Sequence, residues 1–97
     1  MIFRSADRTR RRLAALHAEI GDLRGRLSVL EEQVTFLVQV EADAETEAVV
    51  GDTPVHVREH RTARRDLQRA QRERDEVRRA IEQRVAEQDR LLEQLLE

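Results

Sequence analysis

The sequence predicts an all-α fold in which two long helices form an antiparallel coiled-coil hairpin and associate further into a helical bundle. Three observations support this prediction: a heptad pattern of apolar residues, one strong helix breaker near the middle of the chain, and complementary blocks of charge on either side of it. The composition agrees, because 39% of the 97 residues are charged and 2% are aromatic. Such values are typical of long helices rather than of a conventional globular core.

Helix 1 is predicted over residues 6–50. Its apolar residues recur in alternating steps of three and four, with no polar residue at a core position: Leu13, Leu16, Ile20, Leu23, Leu27, Leu30, Val34 and Leu37. We call this set the leucine seam. The spacing places it on one narrow stripe of a helix, which must pack against another helix.

The segment Gly51-Asp52-Thr53-Pro54 predicts a turn over residues 51–53. Gly51 is suited to follow the first helix in the left-handed conformation. Asp52 or Thr53 is suited to cap the second helix, and Pro54 is suited to be the first residue of the second helix. Helix 2 is therefore predicted over residues 54–97. Its apolar positions are less regular: Ala63, Leu67, Ala70, Val77, Ile81, Val85, Leu92 and Leu95.

Charge patterning indicates how the two helices pair. Residues 27–57 contain seven acidic residues and no arginine, whereas residues 58–79 contain nine arginines against five acidic residues. An antiparallel hairpin lays the acidic block on the basic one, while a parallel pair would place like charges together. With a turn near residue 52, this arrangement brings Leu23 near Ile81.

The composition also excludes several classes of protein. Without cysteine the chain has no disulfide, no thiolate metal site and no thiol nucleophile. A net charge of −2 provides no field that attracts nucleic acid, and no apolar run is long enough to cross a membrane. All 18 basic residues are arginine, which indicates GC-rich coding. We expect a bacterial, cytoplasmic, non-enzymatic protein that needs no cofactor.

Small residues form a second stripe on helix 1, away from the leucine seam. This small-residue stripe consists of Ala14, Ala18, Gly21, Gly25 and Ser28. Small side chains at this spacing allow a second helix to approach closely. Each glycine costs about 1 kcal/mol relative to alanine in an exposed helix, so either the stripe is a packing face or the glycines are merely tolerated. A lone two-helix hairpin buries little core, so we expect an adaptor or regulator that binds itself, as a homodimer or four-helix bundle, and another protein, with the stripe as the candidate binding face.

Residues 1–12 form a predicted basic arm at the start of helix 1. It carries five arginines, Arg4, Arg8, Arg10, Arg11 and Arg12, against the single acid Asp7. Arginines in a first helical turn oppose the helix macrodipole, so local helix stability does not explain them. The arm is interpreted as a contact for phosphates or an acidic partner, or alternatively as charges that are solvated or paired within the fold.

The segment His56-Val57-Arg58-Glu59-His60 matches H-x-x-E-H, the zinc motif of inverzincin peptidases. Histidines four residues apart share one helical face, and the hairpin brings Glu41 and Glu45 near them. The chain lacks the material for a peptidase cleft. A bound metal at His56 and His60, with Glu41 and Glu45 as further candidate ligands, is one alternative function. A polar layer in which Glu41 accepts a hydrogen bond from His60 is the simpler interpretation.

Four acidic residues just before the turn give the predicted hairpin an acidic tip: Glu41, Asp43, Glu45 and Glu47. In shape and charge this resembles the coiled-coil arm of bacterial transcript cleavage factors, which enter a polymerase channel. The chain is also similar in size to helical-hairpin anti-sigma factors that bind cyclic di-GMP. Their E-x3-S-x2-R-x3-Q-x3-D motif does not occur, since Arg24 stands four residues before Ser28. These resemblances imply, as another alternative, a factor that binds RNA polymerase or sigma through its tip or basic end.

Overall fold

The computed structural model describes residues 2–97, with side chains described from Arg4 onward. Over this range the chain forms two α-helices and no strand. Helix α1 spans Ile2–Gly51 and helix α2 spans Pro54–Leu96, joined by Asp52 and Thr53. The predicted all-α helical hairpin is confirmed. Neither helix, over its described length, has a segment both long and apolar enough to cross a membrane.

The paired helices form two compact units. The terminal unit comprises the described residues up to Leu27 together with Val77–Glu97, and the turn unit comprises Ser28–Glu76. The pairing is antiparallel within each. In the terminal unit Arg12 of α1 contacts Glu87 of α2. Glu19 lies further along α1, and its partner Arg84 lies earlier in α2, as an antiparallel pair requires. In the turn unit the two helices are connected directly by the turn, and Glu41 contacts His60.

The leucine seam forms the core of the terminal unit. Leu16 is completely buried, and Ile20 and Val77 are nearly so. The remaining seam residues of this unit are half-buried: Leu13, Leu23 and Leu27. In α2, Leu91 and Leu95 are half-buried, whereas Leu92 is 43% exposed. The prediction that Leu92 belongs to the apolar stripe is therefore wrong, because its neighbour Leu91 occupies the inner face instead.

In the turn unit, large side chains of α1 are combined with small side chains of α2. Leu30 and Val34 are buried on α1, and Ala63 and Ala70 are buried on α2. Alanine allows the helices to approach closely but contributes little apolar area of its own. Among the described residues the buried core contains only apolar side chains, seven in total over the two units.

The first helix is longer than predicted. It begins at Ile2 rather than at residue 6, and ends at Gly51 rather than at residue 50. The predicted arm over residues 1–12 is therefore part of α1 as far as it is described, while the side chains of its first three residues lie outside the described set. Arginine and alanine are good helix formers, and nothing in this segment interrupts the helix. Ser5 is an interior helical residue whose carbonyl accepts a hydrogen bond from Thr9 Oγ1 (2.9 Å).

The turn differs from the prediction in one residue. Gly51 is the last residue of α1, and Asp52 adopts the left-handed conformation with φ of 46°. Asp52 N–H donates to the Ala48 carbonyl (3.2 Å), which completes the last turn of the helix. Aspartate is one of the few residues that adopt this conformation at modest cost. Pro54 begins α2 as predicted, and Thr53 caps it, because His56 N–H donates to Thr53 Oγ1 (3.2 Å).

Candidate interaction surfaces and polar clusters

Exposed apolar residues surround the turn. Four valines within a few residues of it are between 42% and 81% exposed: Val49, Val50, Val55 and Val57. We call this set the turn valines. Val50 also lines a shallow depression with Thr46, Glu47, Gly51 and His56. This surface was not predicted, although valines stand on both sides of the breaker in the sequence.

The acidic segment does not form the very end of the hairpin. Asp43, Glu45 and Glu47 are exposed, and Glu41 is half-buried. Because α1 continues to Gly51, even Glu47 lies a full helical turn before the end of the helix. Exposed valines lie between these acidic residues and the turn. Binding of RNA polymerase or sigma stays a prediction.

All five members of the small-residue stripe are exposed. A Cβ atom added at Gly21 or at Gly25 would meet no other atom of the chain within 4 Å. The hairpin's own packing therefore does not require glycine at either position. The use of the stripe as a binding face stays a prediction that this exposure permits.

An ion-pair network connects the helices of the terminal unit. Arg12 donates to both carboxylate oxygens of Glu87, from Nε to Oε2 at 2.6 Å and from Nη2 to Oε1 at 3.1 Å. Arg12 also contacts Glu19 at 3.4 Å, and Arg84 Nε donates to Glu19 at 3.0 Å. A bidentate pair of this kind fixes geometry better than a single contact does. The network therefore helps to set the pairing of α1 with α2 here.

The basic arm is thus divided between two roles. Arg12 belongs to the interhelical network, which agrees with the alternative of charges paired within the fold. Arg10 lies 3.6 Å from Asp7 at the surface. The others, Arg4, Arg8 and Arg11, are exposed, and a phosphate or acidic partner for them stays a prediction.

The network changes the ionisation of its members. The hydrogen bond from Arg12 holds the pKa of the Glu87 carboxyl below its ordinary value, with the charges of Arg12, Arg90 and Arg84 acting in the same direction. The same hydrogen bond raises the pKa of Arg12. Both groups are therefore charged throughout the neutral range.

The two histidines of the H-x-x-E-H segment belong to different polar clusters. His60 lies with Glu41 and Glu45, and their ligand atoms are all within 4.8 Å of one another. His56 lies instead with Glu47 and Glu59, at the same separation. The prediction that His56 and His60 form one metal site is wrong, because the register of α1 against α2 places different carboxylates beside each ring. The hydrogen bond expected between Glu41 and His60 is present at 2.8 Å.

His56 also forms part of the turn. Its Nδ1 shares a hydrogen bond with Thr53 Oγ1 (2.9 Å). A Cβ atom at Gly51 would lie 2.7 Å from Cε1 of this ring, which is too close for two carbon atoms. Glycine was predicted at this position for its left-handed conformation. Its role in the structure is different, because the absence of a side chain makes room for the imidazole ring.

Comparisons with known proteins identify no family for this chain. No protein-family model, no curated protein and no solved structure matches the chain.

Proposed function

We propose that this protein is a non-enzymatic coiled-coil hairpin that acts as an adaptor or regulator through helix–helix contacts with other protein chains, in the first instance a second copy of itself. The observation that carries the proposal is the exposure of the turn valines on a hairpin that has little core. Val49 and Val50 are 76% and 81% exposed. Exposed valines contribute nothing to the stability of a lone hairpin, whereas their burial against a partner removes apolar area from water.

The thin core supports the same conclusion. Only seven side chains of the described residues are buried, and two of them are the alanines Ala63 and Ala70. Long helices are stabilised mainly by packing of their apolar face rather than by helix propensity. A second hairpin provides further apolar area at the turn valines. The net charge of −2 is small, so self-repulsion opposes association only weakly.

The experiment replaces two turn valines with threonine, which keeps the branched shape but adds a hydroxyl group. We expect Val49→Thr with Val50→Thr to weaken self-association by about tenfold or more, since burial of each valine contributes on the order of 1 kcal/mol. Sedimentation velocity over a series of concentrations measures the association constant. Circular dichroism at 222 nm shows whether helix content is kept.

The matched control is Val38→Thr, which makes the same change at another exposed valine of α1, 47% exposed and distant from the turn in sequence. We expect this variant to associate like the wild type. Equal association of the wild type and the double variant would contradict the assignment of the turn valines. Equal weakening in the control would show a general effect of threonine on the helix.

A further inference from the structure

The polar cluster of Glu41, Glu45 and His60 in the turn unit is a candidate ligand-binding site. Glu41 and Glu45 stand four residues apart on α1, which places them on one face of that helix. His60 comes from α2 and lies across from them. One ligand atom from each residue lies within 4.8 Å of the other two. The three donors thus come from both helices and lie near one another.

Two of the three donors already lie near the separation that a metal centre requires. His60 Nε2–H donates to Glu41 Oε1 at 2.8 Å. In a tetrahedral centre with bonds of about 2.0–2.2 Å, neighbouring ligand atoms are separated by about 3.4 Å. A metal ion that replaces the shared proton therefore needs the two side chains to separate by only a fraction of an ångström. Glu45, four residues after Glu41, supplies the third donor by rotation of its side chain.

Burial and charge both favour a divalent cation at this cluster. The side chains of His60 and Glu41 are 23% and 22% exposed, so water reaches them less than it reaches the rest of the acidic segment. Two carboxylates balance the charge of a divalent cation. One imidazole with two carboxylates and no thiolate suits zinc and neighbouring divalent transition metals, while three protein ligands leave one position open.

We propose that Glu41, Glu45 and His60 form a binding site for a divalent transition metal ion, of which zinc is the representative. The ion joins α1 to α2 in the turn unit, so binding stabilises the paired helices. This site shares His60 with the H-x-x-E-H segment but does not use the rest of that motif, since Glu59 and His56 belong to the other cluster. It is also independent of the turn valines.

The neighbouring cluster of Glu47, His56 and Glu59 is the internal comparison. Its two carboxylates are exposed. One nitrogen of its imidazole is occupied by the hydrogen bond with Thr53, which belongs to the cap of α2. It therefore has the same kinds of donors but less burial, because both of its carboxylates are exposed whereas Glu41 is half-buried.

The experiment is calorimetric titration of the metal-free, tag-free full chain with zinc chloride, together with thermal unfolding followed by circular dichroism. We expect one zinc ion per chain, bound with micromolar or tighter affinity, and a melting temperature that rises with zinc concentration. Glu45→Gln and His60→Ala each lower the affinity by about tenfold or more, because each removes a direct ligand.

Two matched substitutions serve as controls. Glu47→Gln makes the same change as Glu45→Gln at an exposed position of the same helix, and His56→Ala mirrors His60→Ala. Both controls leave the zinc affinity within about twofold of wild type, since they lie outside the three-ligand set. Absence of zinc binding by the wild type would overturn the proposal. A loss in the controls equal to that in Glu45→Gln would also overturn it, and Glu45→Gln keeps this test valid if His60→Ala fails to fold.

Discussion

Leu16 offers the clearest test of the leucine seam. It is the one large side chain of the described residues that is fully buried, at 0% exposure. Leu16→Ala removes the equivalent of three buried methylene groups, worth about 0.8 kcal/mol each in transfer free energy. The cavity left behind adds a further cost, and measured losses for buried leucine span about 2–5 kcal/mol. The core here is a single layer between two helices, which relaxes more readily than a deep core. We therefore expect the free energy of unfolding to fall by about 2–3 kcal/mol.

The assay is urea unfolding followed by circular dichroism at 222 nm, with all proteins at the same concentration, because self-association contributes to apparent stability. Leu96→Ala is the matched control, since Leu96 belongs to the same unit and is 86% exposed. The control should change the free energy of unfolding by less than about 0.5 kcal/mol. A loss in Leu16→Ala no larger than that of the control would refute the assignment of the core.

Two further predictions concern the ion-pair network and the small-residue stripe. Because the pKa of Glu87 is lowered in the folded chain, its contribution to stability is present above the ordinary pKa of 4.5 and is lost as the pH falls through the lowered value. Glu87→Gln should therefore reduce the melting temperature slightly at pH 7, and the difference from wild type should disappear in acid. A difference that persists at pH 2 would contradict this origin, and Glu93→Gln, an exposed carboxylate of the same helix, is the control. Gly21→Leu with Gly25→Leu should raise helix content by circular dichroism, because leucine is the better helix former, while lowering the sedimentation mass or partner binding if the stripe is a packing face. Unchanged mass and unchanged partner binding would show that the stripe is tolerated surface.

The sequence predicted the hairpin well because its main determinants are periodic. The seam residues from Leu13 to Leu37 are all buried or half-buried, as the alternating steps of three and four require. The helix breaker at residues 51–54 located the turn, because proline is favoured at the first position of a helix and disfavoured in its interior. Leu92 was assigned wrongly because adjacent leucines, Leu91 and Leu92, offer two choices of face that spacing alone does not distinguish.

Features that depend on contacts between the helices were harder to predict. The sequence predicted the hydrogen bond between Glu41 and His60, but spacing alone did not show that Glu47, rather than Glu41 or Glu45, lies beside His56. The exposed turn valines were missed for a different reason. The charge pattern predicts an interaction through the acidic residues, and it carries no information about the apolar residues beside the turn.

The central claim is that the chain functions by binding other helices, beginning with a second copy of itself. Sedimentation equilibrium of the wild-type protein at several micromolar concentrations tests it most directly, because the mass is obtained without any assumption about shape. The proposal predicts a species of twice or four times the chain mass of 11.4 kDa, with a monomer that appears on dilution. A single species of 11.4 kDa at every concentration would contradict it.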